Sequence, residues 1–295
     1  MHGRHDTRPA HLIEKPDSGF IARQVAAALA EDVGTGDVTA ALVPPQQQVR
    51  AQIVAREPAV LCGIDWVEQT FKQLDPGIRL DWQAADAERI AADQVLVRIT
   101  GPARPILTGE RTSLNFLQTL SATATAASRY VEAVAGTNCR ILDTRKTIPG
   151  LRLAQKYAVR CGGAQNHRQG LHDMVLVKEN HIIAAGSITT AISAARRTSP
   201  AVPVEVEVES LNEFDQALAA GADIILLDEL TLDDMRTAVE RNRQRGARAK
   251  LEASGSVTLA TVREIALTGV DYISIGGITK HVQAVDLSMR FEFAT

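Results

Sequence analysis

The residues of this chain that could do chemistry gather at the ends of short apolar runs. In order they read Asp143-Thr-Arg-Lys, Lys178-Glu-Asn-His, Glu205, Glu207 and Glu209, Asp228-Glu, Glu252 with Ser254-Gly, and Gly276-Gly. Enzymes built on β/α barrels carry their active sites at the C-terminal ends of the strands, so polar residues closing successive strands point to one shared mouth. Arg145 and Lys146 follow the first run, His167 and Arg168 precede the second, and Lys178 ends it. Arginine grips a carboxylate through two parallel N–H groups, and each charge-assisted bond contributes roughly 1.5–3 kcal/mol. Cations converging on one mouth therefore suit an anionic substrate such as a dicarboxylate. Lys178 has a second reading as a Schiff-base nucleophile of an aldolase-like barrel, which requires neighbouring cations to depress its pKa.

Strict alternation in VEVEVE sends Glu205, Glu207 and Glu209 to one face of a strand and the valines to the other. In a barrel wrapped by helices the valines suit the helix side. The carboxylates then enter the barrel or its mouth, where they need cations or strong donors. The alternative is an edge strand with a solvated acidic face. The last two runs end in Ser254-Gly255-Ser256 and Gly276-Gly277-Ile278-Thr279. Glycines let backbone N–H groups approach an anion, and phosphate sites of barrels occupy the final strands.

Apolar runs at Arg140–Asp143, Asp173–Lys178, Pro203–Glu209, Ala222–Asp228, Ala249–Ser254 and Asp271–Gly276 alternate with helical patterns. That rhythm predicts βαβ units and a parallel sheet, closed or nearly closed into a barrel, with an open sheet as the alternative. No GxGxxG follows a strand, which removes the main argument for a dinucleotide fold. Upstream, helices are predicted over Phe20–Ala30 and Ile64–Leu74, and strands from Val49 and over Ile78–Trp82 and Gln94–Ile99. A long helix is expected over Thr108–Ala135, striped by Leu114, Leu117 and Leu120.

With 295 residues, 45% hydrophobic and 23% charged, the chain can bury two cores without disulfides. A net charge of −3 gives no global basic field for nucleic acid. Cys62, Cys139 and Cys161 have no metal-ligand spacing and read as free thiols of a reducing cytoplasm. The polar N-terminus through Gly19 lacks an apolar signal core and reads as a frayed leader, and no stretch approaches a membrane span.

The segments GERTSLNFLQTLS, LDTRKTIPGLR, KYAVRCGGAQNHR, LVKENHI, VEVEVES, ADIILLDEL, LEASGSV and ISIGGITKH run in the order found in one family. By them the chain resembles the nicotinate-nucleotide pyrophosphorylases (carboxylating), that is, the quinolinate phosphoribosyltransferases, over nearly its whole length. The resemblance implies an α/β protein with an N-terminal α/β sandwich and an incomplete β/α barrel of about six to seven strands. The sandwich is expected over residues 1–117, with 280–295 as a segment able to complete it, and the barrel over 118–279. It also implies a homodimer with shared active sites, neither nucleic acid nor membrane as partner, and a cytoplasmic place in NAD biosynthesis.

By the same resemblance Arg145, His167, Arg168 and Lys178 would bind the two carboxylates of quinolinate, joined by Arg111 from the other subunit. Lys146 would face the phosphates of phosphoribosyl pyrophosphate (PRPP). Glu207 and Asp228 would hold the ribose hydroxyls and the Mg²⁺ that accompanies PRPP, directly or only through it. Ser254, Gly255, Gly276 and Gly277 would cradle a phosphate, with Lys280 or His281 nearby. Lys146, Lys178, Glu207 and Asp228 are the expected catalytic set, with Lys178 the expected proton donor after loss of CO₂. Ala164, Glu229 and Gly277 depart from the family pattern, which more often has Gly, Asn and Ala there. Rival readings are a sister transferase acting on a monocarboxylate, the Schiff-base aldolase, and a binding protein that keeps the pocket without turnover.

Overall fold

The alternation that begins at Val49 folds as a strand because Val49, Ala51 and Ile53 bury one face while Arg50 stays in solvent. The structure, a computed structural model, describes residues 14–293. The segment read as a leader thus lies outside the described residues up to residue 13. Its first half comprises α1 (Ser18–Val33), β1 (Gln48–Ala55), β2 (Ala59–Val60), α2 (Ile64–Leu74), β3 (Arg79–Trp82), β4 (Arg89–Ile90), β5 (Val95–Pro102) and α3 (Ala103–Ala133). The second half runs β6 (Arg140–Leu142), α4 (Arg152–Cys161), β7 (Val175–Val177), α5 (Glu179–Ala185), α6 (Ile188–Thr198), β8 (Val204–Val208), α7 (Leu211–Ala219) and β9 (Ile224–Asp228). It closes with α8 (Leu232–Gln244), β10 (Lys250–Ser254), α9 (Val262–Ala266), β11 (Tyr272–Ser274), α10 (Gly277–Lys280) and β12 (Leu287–Phe293).

Tertiary contacts divide the chain into two units. One contains the described residues up to Ser128, Leu153–Gly163 and the chain from His281 on. Its sheet has the order β12-β1-β5-β3, antiparallel throughout, so the C-terminal segment supplies an outer strand beside β1. Ile53, Leu96 and Ile99 of this sheet bury against Val67, Phe71 and Leu114 of the helices. The stretch Leu153–Gly163 belongs here, although it falls inside the 118–279 span expected for the barrel. The reason is packing: Ala154, Tyr157 and Ala158 are fully buried, and a Cβ on Gly162 would lie 2.3 Å from the carbonyl oxygen of Ala124. Helix α3 begins five residues before the expected Thr108, since Pro105 in its first turn lacks only an N–H that has no intrahelical acceptor.

Asp86 ties this unit together. Its Oδ1 accepts the backbone N–H groups of Gly63 and Ile64 at 2.9 and 3.2 Å, capping α2, and its Oδ2 accepts the Tyr157 hydroxyl at 2.8 Å. Burial raises the carboxyl pKa against the pull of those donors.

The other unit, Arg129–Arg152 with Ala164–Lys280, is a sheet of six parallel strands in the order β6-β11-β10-β9-β8-β7. All six runs expected from sequence are strands. From β7 to β11 neighbours in the chain are neighbours in the sheet, and the first strand, β6, pairs with the last. That cyclic order belongs to a barrel. Beyond β6 a parallel bridge joins Leu142 to Gln165, and the ring remains open between this bridge and β7. The edge-strand alternative for VEVEVE fails: β8 lies between β7 and β9, and Val204, Glu205, Val206 and Val208 are all fully buried. Ser187, Ser210 and Thr231 cap α6, α7 and α8, each side chain accepting a backbone N–H three residues on. Among the described residues no helix is long and apolar enough to cross a membrane.

Removing the Asp86 carboxylate strands a buried hydroxyl and two helix-end N–H groups. Asp86→Ala is therefore expected to lower stability by about 2–4 kcal/mol in denaturant titration.

Candidate active site

Because the six strands run parallel, their C-terminal ends share one edge of the sheet. That edge collects Asp143, Lys178, Glu207, Asp228, Ser254 and Gly276. The loop bearing His167 and Arg168 is anchored to it. Gln165 donates to the Ile141 carbonyl at 2.8 Å. The fully buried Asp143 accepts Asn166 Nδ2 at 2.7 Å and the His167 backbone N–H at 2.8 Å. Farther on, Asp173 accepts the N–H groups of Gln169 and Gly170 at 2.6 and 3.0 Å. The loop is thus pinned at both ends by carboxylates.

Arg145 and Arg168 act on one another electrostatically. Burial, and then the charge of Arg145, hold the Arg168 guanidinium below its usual pKa, with Glu205 and Asp173 opposing. The Nε of Arg145 is buried without a hydrogen-bond acceptor. A buried N–H without an acceptor and a nearby like charge would both be relieved by one bound anion. Lys178 pairs its ammonium with Glu207, and its side chain is 47% exposed. The neighbour of this ammonium is thus a carboxylate, whereas a Schiff-base lysine needs neighbouring cations.

Beyond β11, Lys146 lies across the glycine turn. A Cβ on Gly276 would come within 2.8 Å of Lys146 Cδ, and the Lys146 carbonyl accepts the Thr279 hydroxyl at 2.8 Å. After β10, Gly255 has φ +99°, and a Cβ there would meet the Glu229 carboxyl carbon at 2.4 Å. Ser256 donates its hydroxyl to Glu229 at 2.9 Å. A cavity of about 280 Å³ opens here, lined in part by Glu229, Met235, Ser254, Gly255 and Ser256.

The sequence departures find physical reasons. Glu229 sits at φ +52°, a left-handed conformation that Asn adopts more readily than Glu. In the run before His167 the positive φ falls on Gly163, so Ala164 is unstrained and buried. Gly277 opens α10 without a positive φ. Glu209 is exposed past the end of β8, and Lys280 and His281 are exposed beyond β11. Arg111 is exposed on α3, in the other unit.

Sequence reasoning assigned no partner to Glu205 or Glu252. Both are fully buried, and His167 Nε2 lies 2.9 Å from Glu205 Oε2 and 3.6 Å from Glu252 Oε1. None of the four oxygens receives a well-aligned hydrogen bond, although the Ser274 side chain is a neighbour of Glu252. Burial, then the Glu205 charge, push Glu252 up to about 8, against His167 and Ser274 and with Asp143 adding to the rise. The available signal was position: Glu205 and Glu252 occupy inward sites of β8 and β10, the two strands flanking β9.

A parallel β/α barrel with paired arginines and two glycine turns at its mouth defines an enzyme that handles anionic, phosphate-bearing substrates. Family models sharpen the class. Residues 37–121 match the quinolinate phosphoribosyl transferase N-terminal domain, and residues 123–290 match its C-terminal domain. The probable nicotinate-nucleotide pyrophosphorylase [carboxylating] of Synechocystis is 41% identical over 285 residues, 96% of this chain and 97% of that protein. The Mycobacterium leprae protein of the same description, without the qualifier, is 41% identical over 89% of this chain and 94% of its own length. The nicotinate-nucleotide pyrophosphorylase structure from Francisella tularensis superposes with a TM-score of 0.92 at 45% identity, covering 95% of this chain and 99% of that one. The chain belongs to the quinolinate phosphoribosyltransferase family.

The buried Glu252 has a pH consequence. An unfolded glutamate releases its proton near 4.5, whereas the folded one keeps it to about 8. Between these values the folded state binds more protons, so rising pH removes stability until about pH 8, where the loss is complete. The melting temperature of Glu252→Gln is expected to depend less on pH than the wild type's across this window, by calorimetry; an unchanged slope contradicts the assignment.

Proposed function

We infer that this enzyme transfers the phosphoribosyl group of PRPP to quinolinate with decarboxylation, giving nicotinate mononucleotide, CO₂ and pyrophosphate, a step of NAD biosynthesis. The observation that best supports a dicarboxylate is the Arg145–Arg168 pair, whose buried Arg145 Nε has no acceptor of its own. In this reading Arg145, Arg168 and Lys178 hold the two carboxylates, with His167 beside them and Arg111 reaching in from a second copy in a homodimer. Lys146 faces the PRPP phosphates. Ser254, Gly255, Gly276 and Gly277 present backbone N–H groups to a phosphate.

Glu207 and Asp228, half-buried at the ends of adjacent strands, suit the ribose hydroxyls and the positive charge that develops at C1 as pyrophosphate leaves. They are also hard oxygen donors of the kind and number that Mg²⁺ takes alongside substrate phosphates. Mg²⁺ carried with PRPP supplies charge neutralisation at the leaving pyrophosphate. Once the ring nitrogen bonds C1, the pyridinium stabilises the carbanion left by CO₂, so the protein's task is chiefly to position two anions. Lys178, exposed and charged at the mouth, is the proposed proton donor to that carbon. The three cysteines are buried and free, which suits a reducing compartment such as the cytoplasm. Plant relatives carry chloroplastic or mitochondrial descriptions.

Mixing the purified protein with quinolinate, PRPP and Mg²⁺ is expected to yield nicotinate mononucleotide; no product at enzyme-like concentrations rejects the reading. Arg168→Ala is expected to raise the quinolinate KM by roughly tenfold or more with far less change for PRPP. Gly276→Ala, which pushes Lys146 off the turn, is expected to do the reverse.

A further inference from the structure

His167 is expected from family resemblance to touch the substrate carboxylates, yet both of its ring nitrogens are engaged within the protein. The Arg168 backbone N–H donates to Nδ1 at 2.8 Å, so Nδ1 must be the unprotonated nitrogen. A proton there would point at that N–H. The ring proton therefore sits on Nε2, which faces Glu205 at 2.9 Å and Glu252 at 3.6 Å. Its backbone N–H is held by Asp143. The side chain is 7% exposed, against fully buried carboxylates on β8 and β10.

We propose that His167 is a positioning residue, clamped by Glu205 and Glu252 inside the barrel, that fixes the Arg168 backbone and so aims its guanidinium at the substrate. The chain of contacts runs from the barrel interior to the imidazole and from the imidazole to the residue that binds the anion. Glu205 acts twice, since it also favours the charged Arg168 guanidinium electrostatically. Rotating or deleting the imidazole frees the Arg168 N–H and lets the guanidinium wander, which weakens carboxylate binding without touching the PRPP side.

The inference rests on the activity read above, and a double-mutant cycle separates the two. Turnover of quinolinate and PRPP by the wild-type enzyme tests that activity. In the same assay His167→Ala raises the quinolinate KM roughly ten- to hundredfold and leaves the PRPP KM within about twofold. Placed in an Arg168→Ala background, it adds nothing further. Additive effects of the two substitutions overturn the proposal alone, because they mean that the imidazole meets the substrate directly. His167→Asn keeps an acceptor where Nδ1 stands, so it retains most of the wild-type quinolinate KM. Impairment equal to that of the alanine variant overturns the proposal as well. So does a stoichiometric metal ion bound by His167, Glu205 and Glu252 in the purified protein, detected by elemental analysis and lost in Glu252→Gln.

Discussion

The site is organised around the cations Arg145 and Arg168, one of which keeps a buried donor without an acceptor. The charge of Arg145 acts on Arg168, and the buried Nε of Arg145 lacks an acceptor. Such an arrangement costs stability, because repulsion and a stranded donor are both unfavourable in a partly dehydrated setting. It persists only if other contacts fix it. Asp143 and Asp173 pin the two ends of the loop, and buried Glu205 offsets charge from beneath without filling the mouth. In the proposed function a dianionic substrate completes the constellation.

The carboxylates are graded by depth. Glu205 and Glu252 lie in the interior, too close to both be charged at little cost, and Glu252 keeps its proton into the neutral range. One strand position outward, Glu207 is only half-buried and pairs with Lys178. Asp228 ends the neighbouring strand level with Ser254. Position along the strands, rather than alternation across them, thus separates the acids enclosed in the interior from those near solvent. The glycine turns complete the division, since Lys146 and Glu229 occupy the space that side chains at Gly276 and Gly255 would take.

Much of this was legible in the sequence. Six apolar runs closed by polar residues are six parallel strands with their ends on one side, because period and strand-end chemistry are local properties. Partnerships across the sheet were not. Nothing in the spacing of His167, Glu205 and Glu252 says that they meet, since adjacency arises only when β8, β9 and β10 pair in register and the loop folds in. Strand β12 was placed in the sandwich by the family resemblance and not by its own pattern: Leu287 and Met289 alternate as a strand should, but their partner β1 lies more than two hundred residues away. Likewise Leu153–Gly163 reads as an ordinary barrel helix until Gly162 meets the backbone of α3.

The account's central claim, that the paired arginines await two carboxylates rather than one, is tested most directly by calorimetric titration of the purified enzyme with quinolinate and with nicotinate. Loss of one carboxylate removes at least one charge-assisted contact, so quinolinate is predicted to bind at least about tenfold more tightly. Equal affinities for the two acids would contradict it.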